Sequence, residues 1–506
     1  MDPSSTNPVS RATLVATVAE PAALEPAALA ALAGRADWLE LRADRVGDVP
    51  AERLREHFPG QLLYTLRSRA EGGAFAGPRE GRRRRIAAAS AGFDRVDLEA
   101  ERDLARDLLD AIEPERRIVS WHGPAGDLAA LRSRWQHVRT TPACFYKLVP
   151  RAAHSGEELV PLLLAAEVRR RDLICFAGGE AGFWTRLVAP RLGAPVVYAS
   201  ATALPAAPGM LPLATLERDY ALPDLPPLAS LYGVVGRPAL ASLSPRLHNA
   251  AFRAHGLAAL FVPFEVEHFG DFWLEIVEPE SLARIGLPLA GLAVTAPHKE
   301  VAFTVAGATS PLANRLQAVN TLVHRDGVWE GESTDAEGVL GALAARGVDV
   351  AGRRAAVVGC GGAGRAAALG LARAGAAVAI VNRGEERGLA AARDLGLPFV
   401  PLRELAPEDF DLLVHATPIG RGTDEPPPFD AARLPPGAVV VDLVYGERPT
   451  PLVAAARGRG LVAVDGREVL LAQAIPQFRA MTGRELPREL AAEALGLDLA
   501  SLGGRP

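Results

Sequence analysis

The run Ala355-Ala-Val-Val-Gly359-Cys-Gly361-Gly362-Ala363-Gly364-Arg365 decides how the second half of this chain is read. Ala355 to Val358 is an apolar run of the kind that forms a buried strand, and the alanine- and leucine-rich stretch from Arg365 to Gly375 has the character of a helix. Between them lies a G-x-G-x-x-G turn. Glycine suits it because the backbone must turn tightly and approach a pyrophosphate, while the helix N-terminus presents unpaired N–H groups. A lone G-x-G-x-x-G is weak, but between strand and helix it becomes a dinucleotide fingerprint spanning Gly359, Gly361, Gly362, Ala363 and Gly364. The next strand, Val378 to Val381, is followed by Asn382-Arg383, with Arg387 a helical turn later. An NAD site would place Asp or Glu there for the ribose 2′-hydroxyl; two guanidinium groups favour a 2′-phosphate, so the expected cofactor is NADP.

Upstream stand four short motifs: Ser242-Leu-Ser244-Pro-Arg-Leu-His-Asn249, Val294-Thr295-Ala-Pro-His-Lys299, Ala318-Val-Asn320-Thr321 and Ser333-Thr334-Asp335-Ala-Glu337-Gly338. Each has a local reading: Ser244-Pro245 as an N-cap and first helical residue, Thr334 with Glu337 as a capping box. Downstream come Asp442-Leu443-Val-Tyr445, Thr450-Pro-Leu452, Asp465-Gly466 and Leu471-Ala-Gln473-Ala474. In this order, from Tyr232 to Gly483, the series resembles shikimate dehydrogenase. The resemblance implies that Lys299 and Asp335 handle the proton at the substrate carbonyl while NADPH delivers hydride. It also implies that Ser242, Ser244, Thr295, Asn320, Tyr445 and Gln473 hold the substrate's carboxylate and hydroxyls, and that Leu443 and Gly466 join Asn382, Arg383 and Arg387 at the cofactor. The chemistry is consistent, because hydride addition to a ketone needs a proton donor for the developing alkoxide and an ammonium can supply one. Two positions depart from the family: Gly384, where a hydroxyl often follows Asn-Arg, and His415, where Asn usually precedes Ala-Thr-Pro.

The lysine census adds support from another direction. Of 55 basic residues only Lys147 and Lys299 are lysine, the other 53 being arginine. Under such a bias lysine survives where guanidinium cannot substitute, since arginine neither loses its proton near neutral pH nor forms a Schiff base. Both lysines are therefore catalytic candidates.

Up to about Leu216 eight short apolar runs alternate with helical stretches: Thr13 to Val18, Trp38 to Leu41, Leu62 to Leu66, Val96 to Leu98, Ile118 to Ser120, Ala143 to Val149, Leu173 to Phe176 and Val196 to Ala199. Their recurrence at roughly 20 to 35 residues suits eight βα units closing into a barrel. Alternation in Trp38-Leu-Glu40-Leu-Arg42-Ala-Asp44 puts the charged residues on one face, and charges at strand ends of a barrel mouth line active sites. Arg67 and Glu71 follow the third run, His122 ends the fifth, Lys147 lies in the sixth and Arg186 follows the seventh. Over about Arg11 to Thr215 the set resembles type I 3-dehydroquinate dehydratase. That implies an iminium on Lys147, proton shuttling by His122 oriented by Glu71, and binding by Glu40, Arg42, Arg67 and Arg186. The family's closing loop, Ser-Ala-Pro-Gly-Gln, is here Ala206-Ala-Pro-Gly-Met210, without the hydroxyl and the amide.

The α/β reading is therefore a (β/α)8 barrel over 11–216 and a linker over 217–230. A two-lobed dehydrogenase follows, with a substrate-binding lobe over 231–335, a Rossmann-like NADP lobe over 336–465 and C-terminal helices over 466–506 returning to the substrate lobe. The expected function is a bifunctional shikimate-pathway enzyme that dehydrates 3-dehydroquinate to 3-dehydroshikimate and reduces that to shikimate. The alternatives are a monofunctional shikimate dehydrogenase with a weakened barrel and, more remotely, a non-catalytic quinate or shikimate sensor. A net charge of −5 spread over the chain gives no basic stripe for nucleic acid. The single basic run, Arg82 to Arg85, reads as a solvated helix face. Cys144, Cys175 and Cys360 are odd in number and lack metal-ligand spacing, so neither a disulfide framework nor a metal is expected. Ala12 to Ala19 is too short for a signal or a span, and the expectation is a cytoplasmic protein without membrane or nucleic-acid partners, a homodimer being left open.

Overall fold

The computed structural model describes residues 10–124, 126–420, 426–446 and 448–502. They form two compact units: one runs to Ser230 and takes in Ala258–Leu289, the other holds Leu231–Leu257 and the chain from Ala290 onward.

In the first unit each apolar run becomes a strand: β1 (Thr13–Val18), β2 (Trp38–Arg42), β3 (Gln61–Thr65), β4 (Arg95–Glu99), β5 (Arg117–Pro124), β6 (Phe145–Arg151), β7 (Leu173–Cys175) and β8 (Val196–Ser200). The order is β7-β6-β5-β4-β3-β2-β1-β8 with every ladder parallel, so β1 lies between β2 and β8. The ring is nearly closed, its seam lying between β8 and the three-residue β7. Side chains alternate along each strand, and alternate strands fill each interior layer. One layer of even-numbered strands is aromatic at its base, where the Arg95 guanidinium stacks 4.6 Å from Trp38 and 5.5 Å from Phe145. Two residues further along the same strands the layer becomes Glu40, Asp97, Lys147 and Tyr198, which puts ionisable groups inside the barrel.

One expectation is corrected here. The helix Arg79–Ser90 forms, but Arg82 is buried and grips Asp103 at 2.7 and 2.6 Å, so only part of the arginine run is a solvated face. A guanidinium at that point can be buried because a carboxylate and the Leu66 carbonyl take its protons. The segment 217–230 makes contacts of its own. Residues up to Tyr220 finish the helix Leu213–Tyr220, Leu222 and Leu225 are buried, and Pro223 accepts from Ala12 N–H at 2.7 Å. Apolar side chains in a proline-rich segment found a core to enter. Within the first unit, Phe264 of the segment Ala258–Leu289 lies 5.2 Å from Trp184, ring to ring.

In the second unit, six parallel strands lie in the order Phe399–Pro401, Ala377–Asn382, Arg354–Val358, Leu412–His415, Val439–Asp442, Val462–Val464. In chain order this is 3-2-1-4-5-6, the doubly wound pattern in which the chain reverses direction between strands 1 and 4 and leaves a crevice at their carboxyl ends. Gly359 and Ala416 sit at that crevice. Nearby, the strands Leu289–Val294, Thr321–Arg325 and Val328–Glu332 pair antiparallel, which brings the motifs around Thr295, Asn320 and Thr334 to neighbouring strand ends. The expected capping box at Thr334 and Glu337 is not made; Thr334 is the N-cap residue of Asp335–Ala345 without a side-chain cap, because its hydroxyl accepts from Asn320 at 2.9 Å. Ser244 is the first residue of its helix rather than the cap, and Ser242 Oγ takes its N–H at 3.2 Å.

Candidate active sites

The barrel layer holds Lys147 in β6 without a close hydrogen bond. Its Nζ lies 3.6 Å from Asp97, 4.0 Å from Glu40 and 4.1 Å from the centre of the Tyr198 ring. Burial pulls the Lys147 ammonium below the usual lysine range, with Glu40 and Asp97 opposing. Glu40 is fixed by hydroxyls on both sides, accepting from Thr17 at 2.7 Å and Thr65 at 2.8 Å. Above this layer Arg67 is the hub. It donates to Ser120 at 2.9 Å and pairs with Asp97 at 2.8 Å, Glu71 at 3.1 Å and Glu99 at 3.3 Å. Those carboxylates raise the Arg67 guanidinium although burial opposes them.

His122 Nδ1 lies 3.0 Å from Glu71 Oε2. Burial pushes the Glu71 carboxyl up to about 8 and depresses the His122 imidazolium well below its ordinary value. Both shifts disfavour charge, so the pair sits as a neutral base with its orienting partner. Arg42 is held bidentately by Asp44 at 2.9 and 2.8 Å. Arg186 differs: it is buried over the Phe176 ring at 4.2 Å, its Nε has no hydrogen-bond partner, and burial lowers it to about 10. A buried cation in that condition is a receptor for an anion. In the loop after β8, Ala206 and Met210 are both buried, so the lid presents apolar side chains inward.

In the second unit, Lys299 Nζ lies 2.6 Å from Asp335 Oδ2, while Asn320 Nδ2 donates to Asp335 Oδ1 at 3.0 Å. Asn320 Oδ1 in turn accepts from Thr334 N–H at 2.9 Å and Thr321 Oγ1 at 3.0 Å, and Gln477 donates to Thr321 at 2.9 Å. The Lys299 helix lies against the Gly-rich turn, since a Cβ on Gly362 would stand 3.0 Å from Lys299 Cβ and Cδ. Thr295 is packed so closely on Gly236 that a Cβ there would fall 2.2 Å from Thr295 Cγ2, and Gln473 comes similarly close to Gly338.

The turn itself fits a dinucleotide. Gly359 has φ +111°, a Cβ on Gly364 would lie 2.0 Å from the Gly359 carbonyl oxygen, and the space beyond Gly361 is open, as a phosphate cradle requires. Asn382 turns its amide to the Gly384 carbonyl at 2.8 Å. Arg383 and Arg387 are exposed, the latter paired with Glu300 at 2.9 Å. Gly466 must be glycine because a Cβ would stand 2.6 Å from the Val444 carbonyl, in the loop that carries Leu443 and Tyr445.

Sequence reading passed over Asp97, Glu99, Ser120 and Tyr198 in the barrel, and Thr334 and Gln477 beside Lys299. Arg95-Val-Asp97-Leu-Glu99 alternates charge and apolarity just as Trp38 to Arg42 does, and that signal was available. Ser120, Tyr198 and Gln477 carry no such pattern.

Residues 14–225 match the family model described as type I 3-dehydroquinase, and residues 234–322 match the shikimate dehydrogenase substrate binding domain. A third model, described as an FAD binding domain, matches residues 354–432, a stretch that begins with the strand and Gly-rich turn common to FAD and nicotinamide folds. The shikimate dehydrogenase (NADP(+)) of Acidiphilium cryptum is 43% identical over 53% of this chain and 98% of its own length. The bifunctional 3-dehydroquinate dehydratase/shikimate dehydrogenase of Arabidopsis thaliana, described as chloroplastic, is 29% identical over 90% of this chain and 79% of its length. Among solved structures, the shikimate 5-dehydrogenase of Thermus thermophilus in complex with NADP(H) and shikimate is 34% identical over 53% of this chain and 98% of its own, with a TM-score of 0.47. The dehydroquinate dehydratase and shikimate dehydrogenase from S. pombe is 22% identical over 96% of this chain and 98% of its own, with a TM-score of 0.42.

Proposed function

This chain belongs to the shikimate dehydrogenase family, joined at its N-terminal side to a type I 3-dehydroquinase domain, and on that premise we propose the residues and steps by which it turns 3-dehydroquinate into shikimate. The observation that carries the reading is that the two lysines of the chain each stand among carboxylates of a separate site, one in the barrel layer and one beside the Gly-rich turn.

In the barrel, burial favours the neutral amine of Lys147, which attacks the substrate ketone and, with loss of water, gives an iminium. The iminium acidifies the adjacent C–H, and His122, oriented by Glu71, removes that proton and passes it to the β-hydroxyl, which leaves as water. Hydrolysis of the iminium releases 3-dehydroshikimate and restores Lys147. Arg186 takes the substrate carboxylate, with Arg67, Arg42 and Glu40 around the hydroxyls. In the dehydrogenase, Lys299 donates a proton to the carbonyl oxygen and Asp335 orients it, itself held by Asn320; Ser242, Ser244, Thr295, Tyr445 and Gln473 bind the substrate. NADPH, when bound on the turn Gly359 to Gly364 with Asn382, Arg383, Arg387, Leu443 and Gly466, supplies the hydride.

Among the described residues no helix is long and apolar enough to cross a membrane. The thiols of Cys144, Cys175 and Cys360 are free, which suits a reducing cytoplasm. A homodimer is the assembly to test. The deciding experiment is a coupled assay in which the protein receives only 3-dehydroquinate and NADPH. NADPH consumption is expected. Consumption only after addition of 3-dehydroshikimate would select instead a monofunctional reductase, the reading that buried Ala206 and Met210 favour.

A further inference from the structure

His415 ends the fourth strand of the nucleotide sheet, beside Asp442 in register, and is buried. Its Nδ1 lies 2.9 Å from Asp442 Oδ1 and its Nε2 2.6 Å from Thr417 Oγ1. A carboxylate can only accept, so Nδ1 carries a proton; in the neutral ring Nε2 then accepts from the Thr417 hydroxyl. Asp442 has further duties: its Oδ1 accepts from Val444 N–H at 3.0 Å and its Oδ2 from Thr450 Oγ1 at 2.5 Å. Thr417 Oγ1 also lies 3.3 Å from Ile419 N–H, which donates to it. The His415 carbonyl, meanwhile, takes Leu443 N–H at 2.9 Å. One imidazole thus joins two loops that leave adjacent strand ends, 416–420 and 443–446.

The first of these loops bears directly on the cofactor cradle. A Cβ on Gly359 would lie 2.7 Å from the Ala416 carbonyl oxygen and 3.0 Å from Thr417 Cγ2, so Ala416 and Thr417 form one wall of the Gly-rich turn. The Val444 carbonyl lies against Gly466 on the other loop. Moving the loop of Ala416 and Thr417 by a few tenths of an ångström therefore alters the shape of the Gly-rich turn. Nothing in this arrangement touches Lys299, Asp335 or Asn320, whose hydrogen bonds run to other groups.

We propose that His415 is a positioning residue for the nicotinamide dinucleotide: through Thr417 it fixes the loop that walls the Gly-rich turn, and so sets affinity for the cofactor more strongly than for the substrate, whose proposed ligand Tyr445 lies on the loop held by Asp442. This rests on the reading of the second unit as an NADP-dependent reductase. A primary amide can do the same work, because its N–H donates and its oxygen accepts at a spacing close to that of the two ring nitrogens. Asparagine is then the conservative replacement, whereas leucine fills the space and leaves Asp442 short of a donor and Thr417 short of an acceptor.

The test is calorimetric titration of the full chain with NADP⁺ and, separately, with shikimate. For His415→Leu the NADP⁺ dissociation constant should rise about tenfold or more, the scale of a buried group left unpaired. The shikimate constant should move by much less, under about threefold, because Asp442 keeps the Val444 N–H and Thr450 donors that hold the loop bearing Tyr445. His415→Asn should bind NADP⁺ within about threefold of the unaltered chain if both hydrogen bonds are remade. Should His415→Leu fail to fold, Thr417→Val, which removes only the hydroxyl, must show the same one-sided loss. Unchanged NADP⁺ binding in the leucine variant, or in Thr417→Val if that is the variant that folds, overturns the proposal. So does a parallel loss of shikimate, which would mark a merely structural histidine. An unaltered chain that binds shikimate but no NADP⁺ would overturn the reductase reading and this inference with it.

Discussion

Lys147 and Lys299 are the same side chain in two unlike settings. Lys147 is sealed in a barrel layer, its nearest carboxylate oxygen 3.6 Å away and an aromatic face beneath it. Lys299 is in hydrogen-bond contact with a carboxylate at 2.6 Å, beside a turn built for a dinucleotide. Burial with carboxylates held off at a distance favours losing the proton and becoming a nucleophile. A lysine in direct hydrogen-bond contact with a carboxylate is placed as a donor. On the proposed mechanism, environment more than residue type separates covalent from acid catalysis. Replacement by arginine tests the contrast most severely. At position 147 arginine cannot form an iminium, so Lys147→Arg should lose dehydration as completely as Lys147→Ala, by ~10⁴ or more. At position 299 arginine can still stabilise the developing charge, so Lys299→Arg should keep reduction measurably above Lys299→Ala. Borohydride with 3-dehydroquinate followed by mass spectrometry of the Lys147 peptide checks the first half; an unmodified peptide from active protein would remove the iminium from the scheme.

The two regions also differ in how much polar contact their closing elements provide. The lysine site of the second unit is ringed by Asn320, Thr321 and Thr334, whereas the barrel's closing loop brings buried Ala206 and Met210. Restoring the missing groups with Ala206→Ser and Met210→Gln should raise kcat/KM for 3-dehydroquinate by roughly 10- to 100-fold, the worth of one or two hydrogen bonds made in the transition state. Reduction of 3-dehydroshikimate should not change. Steady-state assays of the two half-reactions on the same preparation decide it, and no gain would mean that the barrel has adapted to an apolar lid.

Legibility in the sequence followed the same divide between local and long-range signals. All eight barrel strands were readable because each is a short apolar run, and the Gly-rich turn was readable because its geometry demands glycine at fixed spacing. Glu40 and Arg42 could be named as candidates from alternation within one strand. What alternation cannot give is which strands face one another across the barrel, so Tyr198 beneath Lys147 and Ser120 beside Arg67 emerged only from the closed ring. The same limit explains Arg82 and the proline-rich segment. Charge and proline content predict solvent, yet a partner distant in sequence, Asp103 for the arginine and Ser10 ahead of β1 for Leu225, drew them inward.

A third way to sharpen the comparison is pH. Burial holds the Glu71 carboxyl up to about 8 from its ordinary 4.5, so the fold favours the protonated form. The sign follows: between those two values the unfolded chain has released a proton that the native barrel retains, so native stability falls as pH rises, and the penalty is complete above about 8. Glu71→Gln mimics the protonated carboxyl. Its melting temperature should match that of the unaltered chain near pH 4.5 and exceed it by a few degrees near pH 9. A gap of equal size at both ends would mean that Glu71 is ionised throughout and that His122 is oriented by a carboxylate.

The smallest expected effect concerns the cofactor rim. Arg387, read as a 2′-phosphate ligand, is paired with Glu300, the neighbour of Lys299, at 2.9 Å, and both side chains are well exposed. An exposed pair of this kind is weak, because water and salt screen it. Even so, a 2′-phosphate that recruits Arg387 must compete with Glu300 or accept its repulsion. Glu300→Gln should therefore lower the KM for NADPH by about twofold and leave that for NADH unchanged, since NADH brings no 2′-phosphate to Arg387. The difference should fade as ionic strength rises toward ~1 M, where the screening length shrinks to about 3 Å. Equal effects on NADPH and NADH would move Arg387 away from the 2′-phosphate and leave Arg383 as its ligand.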